Sequence, residues 1–160
     1  MGEYTEQINV GSTLHMGEFT EPINVGSNSA DCDNDERKPE SFFVYIVGVC
    51  SEWENGRAEY GDIGLYNAHI YAGIPTNQIV HIKDNDATKS NCEEQLMKFL
   101  KTTVPNSTLI FYYGGHGGPL GFHTLKDTWP YKHVVKTINA SFAGDRVVLL
   151  ADCCASGNLQ

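Results

Sequence analysis

From residue 41 onward, apolar residues fall into short continuous blocks separated by stretches with helical spacing. Residues 42–49, Phe-Phe-Val-Tyr-Ile-Val-Gly-Val, form an unbroken apolar and β-branched run, which suits a strand buried on both faces. Residues 62–72 read as a helix closed by Gly73 and Pro75. Residues 78–82 read as a second strand. Ser90-Asn-Cys-Glu93 matches a capping box, in which a hydroxyl and a carboxylate three residues apart satisfy free amides at a helix start. It opens a helix with Cys92, Leu96, Phe99 and Leu100 on its apolar face and Pro105-Asn106 at its end. Residues 108–113 read as a third strand. Pro130 opens a further helix, with Val134, Val135, Ile138 and Phe142 inward and Gly144 as its stop. Residues 147–151 read as a fourth strand.

Strands separated by single helices imply right-handed crossovers and a parallel sheet. In such sheets chemistry sits beyond the carboxyl ends of the strands. That rule singles out residues 50–57, 114–118 and 152–157 as the functional loops.

Residues 1–40 lack the pattern. Met1-Gly-Glu-Tyr-Thr-Glu-Gln-Ile-Asn-Val-Gly-Ser recurs as Met16-Gly-Glu-Phe-Thr-Glu-Pro-Ile-Asn-Val-Gly-Ser. Two short copies are too few for a solenoid. The segment reads as a flexible leader followed by a polar linker, so residues 41–160 are expected to carry the domain.

Composition narrows the function. The 160 residues hold 11 basic and 20 acidic side chains, a net charge of −9, which argues against nucleic acid as a partner. No apolar run reaches membrane-spanning length, and the start shows neither the basic nor the apolar region of a signal peptide. The compartment stays unknown. Five scattered cysteines, Cys32, Cys50, Cys92, Cys153 and Cys154, resemble neither a disulfide framework nor a zinc site, and are read as reduced thiols. Asn106-Ser-Thr and Asn139-Ala-Ser match a glycosylation pattern that is common by chance.

The candidate chemistry lies in two of the loops. Tyr112-Tyr-Gly-Gly-His-Gly-Gly118 follows the third strand, and Ala151-Asp-Cys-Cys-Ala-Ser-Gly157 follows the fourth. The reactive form of cysteine is the thiolate, and a neighbouring imidazole can take the thiol proton and return it to a leaving amine. The backbone N–H groups of Gly117 and Cys154 are candidate oxyanion donors. Alternation along an extended segment turns Cys153 and Cys154 to opposite sides, and the residues alone leave either one as nucleophile. His69, His81, His123 and His133 show no paired ligand spacing, and Phe111, Tyr112 and Tyr113 read as strand packing.

The two motifs resemble the histidine and cysteine motifs of the caspase-fold cysteine peptidases. Asp152-Cys-Cys-Ala-Ser-Gly157 is similar to the metacaspase pattern Asp-x-Cys-x-Ser-Gly and to the legumain pattern Glu-x-Cys-x-Ser-Gly. Trp53-Glu-Asn-Gly-Arg57 and Gly73-Ile-Pro-Thr-Asn-Gln-Ile-Val80 resemble stretches of the legumain family, the asparaginyl endopeptidases. The resemblance covers about residues 42–160. It implies an α/β fold, a three-layer caspase-like sandwich with a mostly parallel sheet, here truncated after the fourth strand. It implies Cys154 as nucleophile, His116 as general base, Asn55 as the group that orients the imidazole, and Arg57 and Asp152 in the primary specificity pocket. Asp152 stands where legumains have Glu, and Ala58 where they tend to have His. The implied activity is hydrolysis, or transpeptidation, of a protein or peptide after Asn or Asp, with Arg or Lys as the second choice, and without cofactor or catalytic metal. A second subunit or a C-terminal part would complete the sheet. A legumain-like protein would be lysosomal, vacuolar or secreted, and a metacaspase-like one cytoplasmic. A non-catalytic caspase-fold module is the alternative of a different class. A nucleotide-binding domain is set aside, because residues 50–57 are acidic and lack a glycine-rich phosphate loop.

Overall fold

A computed structural model describes residues 37–49 and 61–158. Among these, the elements run β1 (Phe42–Gly48), α1 (Gly61–Tyr71), β2 (Ile79–Lys83), α2 (Lys89–Leu100), β3 (Thr108–Gly114), β4 (Gly117–Gly118), β5 (Gly121–His123), β6 (Thr128–Pro130), α3 (Tyr131–Ser141) and β7 (Arg146–Asp152), with short 3-10 turns between some of them. The leader repeat, Cys32, Cys50, Trp53, Asn55, Arg57 and Ala58 lie outside the described residues.

The fold is α/β, built on a parallel four-stranded sheet in the order β2-β1-β3-β7. The continuous apolar runs take the two central places. Val44, Tyr45, Ile46 and Val47 of β1 are fully buried, as are Leu109, Phe111 and Tyr113 of β3. Helix α1 covers one face, where Leu65 and Tyr66 pack with Val44, Ile46, Tyr112 and Ile79. Helices α2 and α3 cover the other, with Leu96, Phe99, Val134 and Ile138 against Tyr45, Val47 and Phe111. Side chains alternate along each strand, so each run supplies both faces.

Three local expectations are corrected. Helix α2 is capped by Thr88, whose Oγ1 accepts from the Asn91 N–H at 3.3 Å; Ser90 already lies inside the helix. Two hydroxyls two residues apart both fit a capping template, and the first one has the extended backbone that a cap needs. The helix ends at Leu100, with Asn106 forming a separate left-handed turn before β3 (φ 60°). Gly117 and Gly118, expected within the loop after the third strand, instead begin a further run of strands over residues 117–130. These strands form an antiparallel three-stranded meander, β4-β5-β6, whose Phe122 and Trp129 enter the core beneath α3.

At the other end of the domain, Arg37 grips Asp145 with two hydrogen bonds of 2.8 and 3.1 Å and reaches the Asn106 carbonyl at 2.8 Å. Strand β7, like β2, is an edge of the sheet among the described residues. Its Val148 and Leu150 pair with Ile110 and Tyr112 on the α1 side, yet each stays 38% exposed, because α1 does not extend over them.

Candidate active site

The carboxyl ends of β1, β3 and β7 finish level with one another. Gly48 pairs with Gly114, and Gly114 pairs with Asp152. The Val49 N–H donates to the Gly114 carbonyl at 2.9 Å, and the Gly115 N–H donates to the Asp152 carbonyl at 3.2 Å. His116 therefore stands two residues beyond the last pair on β3, and Cys154 two residues beyond it on β7. Both residues are exposed.

The histidine loop is held from below. Tyr113 is fully buried, and its hydroxyl lies 2.8 Å from the His116 carbonyl and 2.6 Å from the His123 carbonyl. The His123 N–H donates to the same His116 oxygen at 2.9 Å. Gly115 makes this path possible. Its φ of 151° disfavours any L side chain, and a Cβ there would come within 2.9 Å of the Tyr113 hydroxyl and 3.0 Å of the Val49 carbonyl.

The cysteine loop leaves β7 through a bend. Cys153 is half-buried against the core beneath α2 and α3, whereas Cys154 is exposed. Ala155 then adopts a left-handed backbone, φ 58°, and its carbonyl accepts from the Asn158 N–H at 3.1 Å. A non-glycine residue in that region costs roughly 1–2 kcal/mol, which the surrounding contacts must offset. Burial pushes the Cys153 thiol above the usual thiol range. A hydrogen bond from Tyr131 opposes that, and the neighbouring Cys154 and Asp152 reinforce it.

The two loops touch at Gly117, half-buried on β4. A side chain at this position would meet the Cys154 carbonyl at 2.5 Å, the Cys153 sulfur at 2.7 Å and the Tyr131 hydroxyl at 3.1 Å. Only a bare backbone allows the histidine strand to pass this close to the cysteine turn. Asp152, exposed, lies on the α1 side of the sheet, where the Tyr112 hydroxyl donates to its Oδ2 at 3.4 Å. Of the expected site residues, His116, Gly117, Asp152 and Cys154 thus gather at one end of the sheet. Asn55 and Arg57 belong to the segment outside the described residues.

Three features escaped the sequence reading. Tyr113 and Tyr131 carry polar contacts that no local spacing signals. His81, expected to play no special part, places its Nε2 2.7 Å from Oδ2 of the buried Asp62 and stacks on Tyr66 with ring centroids 5.2 Å apart. Burial raises the Asp62 carboxyl, but the His81 hydrogen bond and charge outweigh it and hold the group below the usual carboxylate range. The other Asp62 oxygen is buried without a hydrogen-bond partner. Among the described residues, no group of three or more His, Cys, Asp and Glu side chains is placed to hold a metal ion, and no helix is long and apolar enough to cross a membrane.

No family model and no curated protein matches this chain.

Proposed function

We propose that the chain carries the catalytic residues of a caspase-fold cysteine peptidase of the legumain type, with metacaspase-like features around the nucleophile. The observation that carries the reading is the strand-end register. His116 and Cys154 stand at equivalent positions beyond adjacent parallel strands, and the loops that bear them are in contact at Gly117. Helices on both faces of the sheet agree with the three-layer caspase-like sandwich.

In this reading His116 takes the Cys154 thiol proton as the sulfur attacks the scissile carbonyl. The C–N bond breaks as the imidazolium returns that proton to the leaving amine. The amides of Gly117 and Cys154 hold the oxyanion, Asn55 orients the imidazole, and water or an amine releases the acyl group from sulfur. The half-burial and raised thiol of Cys153 favour Cys154 over its neighbour as nucleophile. Arg57 and Asp152 line the pocket, which reads Asn or Asp first and a basic side chain second. The test is hydrolysis of peptides that differ only in that residue. Cys154→Ala and His116→Ala are each expected to lower kcat more than about a thousandfold, with Cys153→Ala close to wild type. Unchanged turnover in Cys154→Ala would refute the reading.

A second reading is favoured by the half-exposed edge strand β7. Here the domain is a non-catalytic caspase-fold module, and a partner covers Val148 and Leu150. Its signature is a folded protein that binds another chain and hydrolyses none of the peptides.

A further inference from the structure

Two adjacent cysteines raise the question of what turns one of them outward. Tyr131, the first residue of α3, is 4% exposed. Its ring meets Phe122 edge-on at 4.7 Å, and its N–H donates to the Leu120 carbonyl at 3.3 Å. Phe122 in turn stacks on Tyr113 at 4.2 Å, the residue beneath the His116 loop. The Tyr131 ring is therefore fixed by the meander on one side and its own helix on the other. Its hydroxyl donates to the Ala155 carbonyl at 3.5 Å, and it lies beside Gly117 together with the Cys153 sulfur. It thus engages the residue before Cys154 and the residue after it.

We propose that Tyr131 is the positioning residue of the cysteine turn: its hydroxyl holds Cys153 half-buried and Ala155 in its left-handed conformation, and so fixes the direction of Cys154 between them. The assignment rests on the peptidase reading for its purpose, but not for its geometry. Residues 153 and 155 flank the reactive position, and anchoring both fixes the direction of the side chain between them. Gly117 lies against the same hydroxyl and the same sulfur, so the one anchor also sets the spacing between the two loops. The chemistry agrees. The phenol is pushed up to about 12 by burial and by the two neighbouring thiols, so it remains a neutral hydrogen-bond donor throughout the range in which a thiol protease works.

The test measures selectivity between neighbours. The folded chain is treated with limiting iodoacetamide, and alkylation of Cys153 and Cys154 is followed separately by peptide mass spectrometry. In the wild type Cys154 is expected to react at least about tenfold faster. Tyr131→Phe keeps the ring and its Phe122 contact. It is expected to reduce that ratio about fivefold, the worth of one net hydrogen bond, with the thermal midpoint little changed. An unchanged ratio in a folded Tyr131→Phe overturns the proposal. So do comparable rates for the two thiols in the wild type, a result that needs no variant. Failure of an asparagine-directed probe to label Cys154 would count against the peptidase reading, while the alkylation ratio still decides the role of Tyr131.

Discussion

The backbone N–H of Gly115 donates to the carbonyl oxygen of Asp152 at 3.2 Å. This bond joins the ends of β3 and β7 one residue before His116 and two residues before Cys154. It prolongs the parallel ladder to the point where two different loops begin. The candidate dyad is thus placed by the backbone, and the exposed side chains inherit a geometry set by a rigid sheet.

The closest approach of the two loops gives the first prediction. Gly117→Ala forces a methyl group against the Cys154 carbonyl and the Cys153 sulfur. Overpacking of this kind costs roughly 1–3 kcal/mol. The expected outcome is a lower thermal midpoint together with at least a tenfold loss of peptide hydrolysis, about 1.4 kcal/mol at the transition state. Gly64→Ala, on the exposed side of α1 with open space around it, serves as the control and should be tolerated.

A second prediction concerns acid. Asp62 is held below its ordinary carboxylate value in the folded chain. The ionised form therefore contributes stability above about pH 4, and that contribution is lost as pH falls through the lower folded value. Asp62→Asn should lower stability near neutrality by about 2 kcal/mol and flatten the acid limb of a stability-against-pH curve. An acid limb as steep as that of the wild type would show that the Asp62–His81 pair does not govern it.

How much of this was legible in the chain depends on the range of the interactions. The four long strands and three helices follow from continuous apolar runs and helical spacing, which are local, and the two catalytic candidates follow from their places at strand ends. Strands β4, β5 and β6 have only two or three residues each, too few for alternation to register. The roles of Tyr113, Tyr131 and His81 depend on partners 3 to 24 residues away in other elements or loops, which no periodicity reports. Thr88 and Ser90 were separable only by backbone conformation.

The cysteines should differ sharply in reactivity. Cys92 is fully buried on α2, and burial, followed by the adjacent Glu93, pushes its thiol up to about 12. It should stay unmodified by thiol reagents in the native protein and react fully in denaturant, which a mass-based thiol count would reveal. Modification of Cys92 under native conditions would imply that α2 opens readily from the sheet.

Strand β7 should be the weak point for solubility. Val148 and Leu150 are half-exposed on the sheet edge, where unpaired strands promote association. Leu150→Lys is expected to keep the fold and to reduce aggregation in light scattering. Leu109→Lys, at a fully buried position on β3, should abolish folding.

The central claim is that sulfur at 154 and imidazole at 116 act together on a peptide carbonyl. It is tested most directly by labelling the folded protein with an asparagine-based covalent probe and locating the adduct by mass spectrometry. The account predicts an adduct on Cys154 that disappears in Cys154→Ala, drops steeply in His116→Ala and persists in Cys153→Ala. An adduct on Cys153, or labelling of Cys154 that is indifferent to His116, would contradict it.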